Sequence, residues 1–222
     1  MDLATLPAGQ LIAPVMEPLY VGLSEIHGDK VLFADKVHKA LSLLFIIVLP
    51  VAFGIYATAD NLVYILLGEK WQHAVPLVTV VAFVLIPGVL GDFLTRVMTA
   101  LGKVKLIFKF ELVLGLFAIS IFMFLAKSMV LIDFAILRVT LTGINTIAVL
   151  FVLTKITSLS FIRITLLACL PLISAVAMLY AVLLITPVIS GYSLLIQLLI
   201  QVCMGAILYL YLISSFIYFV QK

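Results

Sequence analysis

Residues 164–186 read ITLLACLPLISAVAMLYAVLLIT, a run with no charged side chain. At ~1.5 Å of rise per residue, a helix of this length covers the ~30 Å of a bilayer's hydrocarbon core. Water could not solvate such a helix on any face, so lipid is the solvent that fits. The same texture recurs in both directions. Toward the C-terminus a further apolar run covers 191–219, and toward the N-terminus others cover about 129–154, 106–126, 74–101 and 41–66. The fold expected is therefore all-α, a polytopic membrane helix bundle with six strong spans. The whole chain, 1–222, reads as a single membrane domain.

Composition agrees. Of 222 residues 66% are hydrophobic and only 10% charged, whereas soluble domains carry about 25% charged residues. The net charge of +3 is spread along the chain and gives no footprint for nucleic acid. Cys169 and Cys203 both sit inside apolar runs, which provides neither a disulfide framework nor a metal-ligand spacing. The opening MDLATLP is acidic and broken by proline, unlike a signal peptide.

The connections are short and hold the charge and the turn chemistry: Gly68 to His73, Gly102 to Lys105, and Thr186 to Gly191. Short links force successive helices to run antiparallel. The segment 3–23 is long enough to cross but contains Pro7, Pro14 and Pro18 together with Gln10 and Glu17. Proline removes a backbone donor and kinks a helix, and neighbours in a bundle can re-satisfy the freed groups, so 3–23 reads as a kinked seventh span. Residues 24–40, with Glu25, Asp29, Lys30, Asp35, Lys36 and Lys39, read as a loop in water. Lys30, Lys36, Lys39, Lys103, Lys105, Lys109, Lys155, Arg163 and Lys222 fall on one side of these spans, and only Lys70 and Lys127 on the other. The bias assigns the first set, the 24–40 loop and the C-terminus to the cytoplasm. The N-terminus then starts on the far side without a signal, which is the expectation for a piece of a longer protein. Trp71 and Tyr64 suit the interfacial aromatic belt.

An ionisable group near the bilayer centre costs on the order of 2.5–3.5 kcal/mol on insertion scales, so each needs a reason. Asp92 and Arg96 are four apart and share a helix face, with Thr95, Thr99 and Gly88 along it. They suit either mutual neutralisation against neighbouring helices or the wall of a watery cavity. Arg138 stands near mid-depth, and Thr142 and Asn145 follow it on the same face. Asp133 is badly placed to pair with it. Arg138 could meet Asp92 across helices, or its fork of donors could receive a phosphate or pyrophosphate. Glu111 enters its span with Gly115 on its face and can pair with Lys109 or Lys105 at the rim. Glu17, between Pro14 and Pro18, is either a loop carboxylate or a contact for a coupling ion or a gate. Asp60 and Asn61 read as the fraying end of the 41–66 span. His27, His38 and His73 fall in loops or at loop edges, without metal-ligand spacing. No nucleophile elbow, paired-aspartate motif or phosphate-cradling glycine loop occurs. The chain therefore reads as a non-enzyme without cofactor or metal.

Four pieces in order resemble the C-terminal half of Wzx-type oligosaccharide flippases and related polysaccharide exporters of the multidrug/oligosaccharidyl-lipid/polysaccharide (MOP) superfamily. They are Leu6-Pro7-Ala8-Gly9-Gln10-Leu11-Ile12-Ala13-Pro14-Val15 leading into Leu19 to Ile26, then Leu49-Pro50-Val51-Ala52-Phe53-Gly54, then the loop from Leu66 to Leu77 containing Leu67-Gly68-Glu69-Lys70-Trp71-Gln72-His73-Ala74-Val75-Pro76, and finally Ala100-Leu101-Gly102-Lys103. The likeness covers roughly 3–115; beyond it only the number, length and spacing of the helices match. The family carries about twice as many helices and often has proline where Val21 stands, so this chain resembles the C-terminal bundle of a MATE-like flippase.

The resemblance implies a transporter, or its C-terminal half, that moves polyprenyl-pyrophosphate-linked oligosaccharide across the bacterial inner membrane for O-antigen, capsule or exopolysaccharide synthesis. The missing N-terminal half, membrane lipids, and a polysaccharide polymerase or glycosyltransferases would be its partners. Arg138, Arg96, Asp92, Asn145 and Thr142 would line the substrate path, and Glu17 and Glu111 would serve ion coupling or gating. A MATE-like exporter of drugs or metabolites, and a non-catalytic membrane assembly protein, are the competing expectations. An exporter of drugs would favour acidic or aromatic walls over these arginines. A lipid-linked-sugar transferase would need a catalytic acid, and only Glu111, Asp92 and Asp133 could serve.

Overall fold

The computed structural model describes residues 29–125 and 130–220, so the kinked span expected over 3–23, with Glu17, lies outside them. The described residues form helices α1 (Lys30–Leu67), α2 (Val75–Ala82), α3 (Leu85–Ala100), α4 (Val104–Leu125), α5 (Leu131–Ile156), α6 (Phe161–Ile185) and α7 (Leu194–Val220), with a 3₁₀ turn, Glu69–Ala74, between α1 and α2. Taking α2 and α3 as one broken span, six are long and apolar enough to cross a membrane. The protein is a multi-pass membrane helix bundle.

Helix α1 differs from the expectation at its start. Residues 30–40, read as loop, continue the helix, because Asp29 caps it: its carboxylate accepts the backbone N–H groups of Val31 at 3.0 Å and Leu32 at 3.1 Å. The resulting 38 residues span about 57 Å, nearly twice the hydrocarbon thickness. The charged first turns therefore extend past the core as helix. His38 is not a loop residue either. It is 3% exposed on the packed face of α1, and its Nδ1 lies 2.6 Å from the Ala34 carbonyl.

Helix α1 is the hub. It packs along α6 most extensively and also against α7, α2 and α3. Phe33, Val37, Leu41 and Leu44 of α1 join Phe93, Leu94 and Val97 of α3, Leu153 of α5 and Ile164, Ala175 and Met178 of α6 in one buried cluster. Asp35 ties the starts of α1 and α6 together, receiving Lys39 at 2.8 Å and Arg163 at 3.6 Å. At the other end Asn61 donates to Gln201 Oε1 on α7 at 2.9 Å, and Gln201 donates to the Thr186 hydroxyl at the end of α6, also at 2.9 Å. Asn61 and Gln201 are buried, so Asn61 is not at a frayed end; it pins three helices. A second pin answers a proline. Pro50 has no N–H, which leaves the Ile46 carbonyl without its helical donor, and Tyr209 of α7 donates its hydroxyl to that oxygen at 2.8 Å. Together the pins set α7 antiparallel and α6 parallel to α1.

The 74–101 span is broken rather than continuous. Pro87 cannot donate to the Phe83 carbonyl, and the chain tightens at Phe83 and Val84, whose N–H groups reach back to Val80 and Val81 at 3.1 and 2.9 Å. The break swings Phe83 against Phe53 and Tyr56 of α1, with ring centroids 5.3 and 5.5 Å apart. At the far end of α3, Gly102 adopts φ +69°, and the N–H groups of Gly102 and Lys103 return to Thr99 and Met98 at 2.9 and 3.0 Å. This is a Schellman close that favours glycine, and it starts α4 on the side of the bundle away from α1. Helix α4 packs chiefly against α3 and α5 among the described elements, and its ring contact is Phe122 stacked on Phe134 at 5.6 Å.

Candidate functional site on α3 and α5

The two polar stripes read from the sequence lie on helices that touch. Gly91 of α3 faces Thr146 of α5 so closely that an added Cβ would stand 2.9 Å from the threonine hydroxyl. That hydroxyl lies 2.7 Å from the Pro87 carbonyl and 2.9 Å from the Thr142 carbonyl, and its single proton serves one of them at a time. Small-residue contacts of this kind let membrane helices approach closely. Asp92 follows Gly91 directly and Asn145 precedes Thr146, so the contact sets both stripes at a common height.

Along α3 the split of faces is clean. Leu90, Phe93, Leu94, Val97 and Met98 are buried, whereas Asp92 and Arg96 are exposed and Thr95 and Thr99 half-buried. Asp92 and Arg96 keep their i, i+4 spacing on this face, but no ion pair closes between them among the described residues. Along α5, Arg138 is exposed while Thr142 and Asn145 are half-buried. The Thr142 hydroxyl donates to the Arg138 carbonyl at 2.8 Å, which holds the turn between them. Asn145 Oδ1 is buried with no hydrogen-bond partner among the described residues. A buried acceptor left without a donor costs free energy, and such a group suits a hydroxyl-rich or cationic guest.

Glu111 stands apart on the exposed face of α4 and forms no ion pair with Lys105 or Lys109 among the described residues. Among the described residues no cluster of three or more histidine, cysteine or acidic side chains could hold a metal ion. Thr146 and Gly91 carry no sequence signal as the contact that joins the stripes: the threonine stands one residue beyond Asn145, but its partner is 55 residues away with α4 between.

The fold and site define a polytopic helical membrane protein with a cationic and hydroxyl-bearing stripe shared by two neighbouring helices. Residues 1–76 match the family described as polysaccharide biosynthesis protein. The chain is also 25% identical over 110 residues to the lipopolysaccharide biosynthesis protein WzxC of Escherichia coli (strain K12), an alignment covering 50% of this chain and 22% of that protein. Both matches are to proteins named for polysaccharide biosynthesis, in the same direction as the resemblance carried by the sequence motifs. The chain thus spans under a quarter of the length of the curated relative it matches. No solved structure matches.

Proposed function

We propose that this chain is a membrane transporter, or the C-terminal half of one, that passes polyprenyl-pyrophosphate-linked oligosaccharide across the bacterial inner membrane for surface polysaccharide synthesis. It acts by binding and conformational change, without catalysis. The observation that carries the reading is the close α3–α5 contact at Gly91 and Thr146, which sets two stripes side by side: Asp92 and Arg96 on one helix, Arg138, Thr142 and Asn145 on the other. The family match to polysaccharide biosynthesis supports the substrate class. Guanidinium groups bind phosphate oxygens in a forked geometry, and threonine and asparagine suit sugar hydroxyls.

In this reading the C-terminus and the lysine-rich end face the cytoplasm, and Glu111 and Glu17 are the candidates for coupling or gating. Rocking of one half against another requires a second bundle, so an N-terminal half is a required partner, and the polymerase and glycosyltransferases of the same polysaccharide are natural neighbours. The test is complementation in a strain whose surface polysaccharide depends on this gene, with Arg96→Ala and Arg138→Ala. Loss of surface polysaccharide at normal membrane abundance of the variants is expected. Unchanged polysaccharide with both variants overturns the site.

A further inference from the structure

Charge in the structure is concentrated at one end of the bundle, and one part of it is left unspent. Lys39 and Arg163 share the Asp35 carboxylate. Lys30 and Lys36 of α1 form no ion pair among the described residues, and neither does a second group of four: Lys103 in the α3–α4 turn, Lys105 and Lys109 in the first turns of α4, and Lys155 in the last turn of α5; all six are exposed. The helices that carry or flank the group of four, α3, α4 and α5, are in mutual contact. The Schellman close at Gly102 fixes how the first two are presented, because it sets the direction in which α4 leaves.

The surroundings of these four are not those of an aqueous surface. Val104 is 54% and Phe108 64% exposed on α4, and Phe151 is 57% exposed on α5, with the Lys155 ammonium 5.3 Å above the Phe151 ring. Lysines interleaved with exposed apolar and aromatic side chains at the point where apolar helices end are the composition of a membrane interface, where the stems lie along acyl chains and the ammonium groups reach the headgroups. A soluble acidic protein would meet the ammonium groups but leave Phe108 and Phe151 in water. A phosphate on two acyl chains satisfies both.

We propose that Lys103, Lys105, Lys109 and Lys155 form a docking surface for an anionic phospholipid, its phosphate among the four ammonium groups and its acyl chains along Phe108 and Phe151. The surface is separate from the arginine-bearing stripes of the transport reading and does not depend on that reading. Juxtamembrane lysines draw anionic lipid cumulatively, so four acting together give at least about tenfold preference over a zwitterionic lipid of the same chains.

The experiment uses the full chain, purified and delipidated in mild detergent, and titrated in parallel with phosphatidylglycerol and phosphatidylcholine of identical acyl composition. Bound lipid is counted by native mass spectrometry. The wild type is expected to retain phosphatidylglycerol at least about tenfold better. The variant K103Q/K105Q/K109Q/K155Q should lose that preference, while K30Q/K36Q/K70Q, which removes charge elsewhere, should keep it; circular dichroism of each variant establishes that the helices are intact. Equal retention of the two lipids by the wild type overturns the proposal. So does a quadruple variant that keeps its preference with its helices intact. Should the quadruple variant not fold, the same comparison is made with K105Q/K155Q, for which a drop of at least about threefold is expected and none overturns the assignment.

Discussion

Helices α4 and α6 are close in length, at 22 and 25 residues, and both read as plain apolar spans, yet their positions in the bundle differ sharply. Helix α6 lies along the hub helix, with Ala175, Met178 and Val182 buried; Met178 sits between Gly54 of α1 and Gly205 of α7. Helix α4 has Ile107 as its one buried hydrophobic residue among those described, and presents Leu112, Val113, Leu116, Phe117, Met123 and Phe124 outward. In a bilayer both are stable, because lipid tails replace protein for α4 at no hydrophobic cost. The difference lies in what directional bonds require. Among the described residues, the long-range side-chain hydrogen bonds on the α1–α6–α7 side meet groups that would otherwise be stranded, whereas α4 is held by a turn, Ile107 and a ring stack. One side is pinned and the other is leaned on.

Substitutions can break that contrast in graded fashion. The largest effect is expected at the α3–α5 contact: Gly91→Leu places a side chain into Thr146 and should lower stability by about 2–3 kcal/mol, read as the midpoint of unfolding in mixed detergent. Next, Gln201→Leu strands Asn61 in the buried pin and should cost about 1–2 kcal/mol, of which Asn61→Leu in the same chain recovers a part. Tyr209→Phe leaves the Ile46 carbonyl without a donor and should cost about 1 kcal/mol. Adding Pro50→Ala restores a helical donor to that carbonyl, so the cost of Tyr209→Phe should fall below about 0.5 kcal/mol in that background. The smallest effect is expected on α4, where Phe117→Ala should change stability by less than about 0.5 kcal/mol. If Phe117→Ala costs as much as Gln201→Leu, α4 is packed against protein on its outward face and the contrast fails.

The spans were legible because a membrane reads bulk apolarity, which composition reports directly. Residues 164–186 needed no partner to be recognised. Several local features were half legible. Pro50 announces a stranded carbonyl at Ile46, but nothing in the sequence points to a tyrosine 163 residues on. Charge at 30–40 marks the end of the hydrocarbon but does not end the helix, because the cap at Asp29 keeps the helix going past it. The break at Phe83 and Val84 was hidden because a uniformly apolar stretch has no periodicity to interrupt, and Pro87 alone fits either a kink or a new first turn. Asn61 and His38 were misplaced for one reason: a polar residue near the end of an apolar run is assigned to the surface unless its distant partner is known.

The candidate site was legible stripe by stripe. Spacing of three and four put Asp92 with Arg96 and Arg138 with Thr142 and Asn145 on common faces. That the stripes adjoin was not legible, since α4 separates them in the chain and stands outside the pair in space.

The proposed transport role requires that the α3–α5 stripes line a water-filled path and do not face acyl chains. The most direct measurement is labelling of single cysteines by a membrane-impermeant, charged thiol reagent in native membranes, in a chain carrying Cys169→Ser and Cys203→Ser. The account predicts that Arg96→Cys, Thr142→Cys and Asn145→Cys react readily while Phe117→Cys on α4 stays unlabelled. Silence at all three stripe positions, with the protein present at normal abundance, would contradict it.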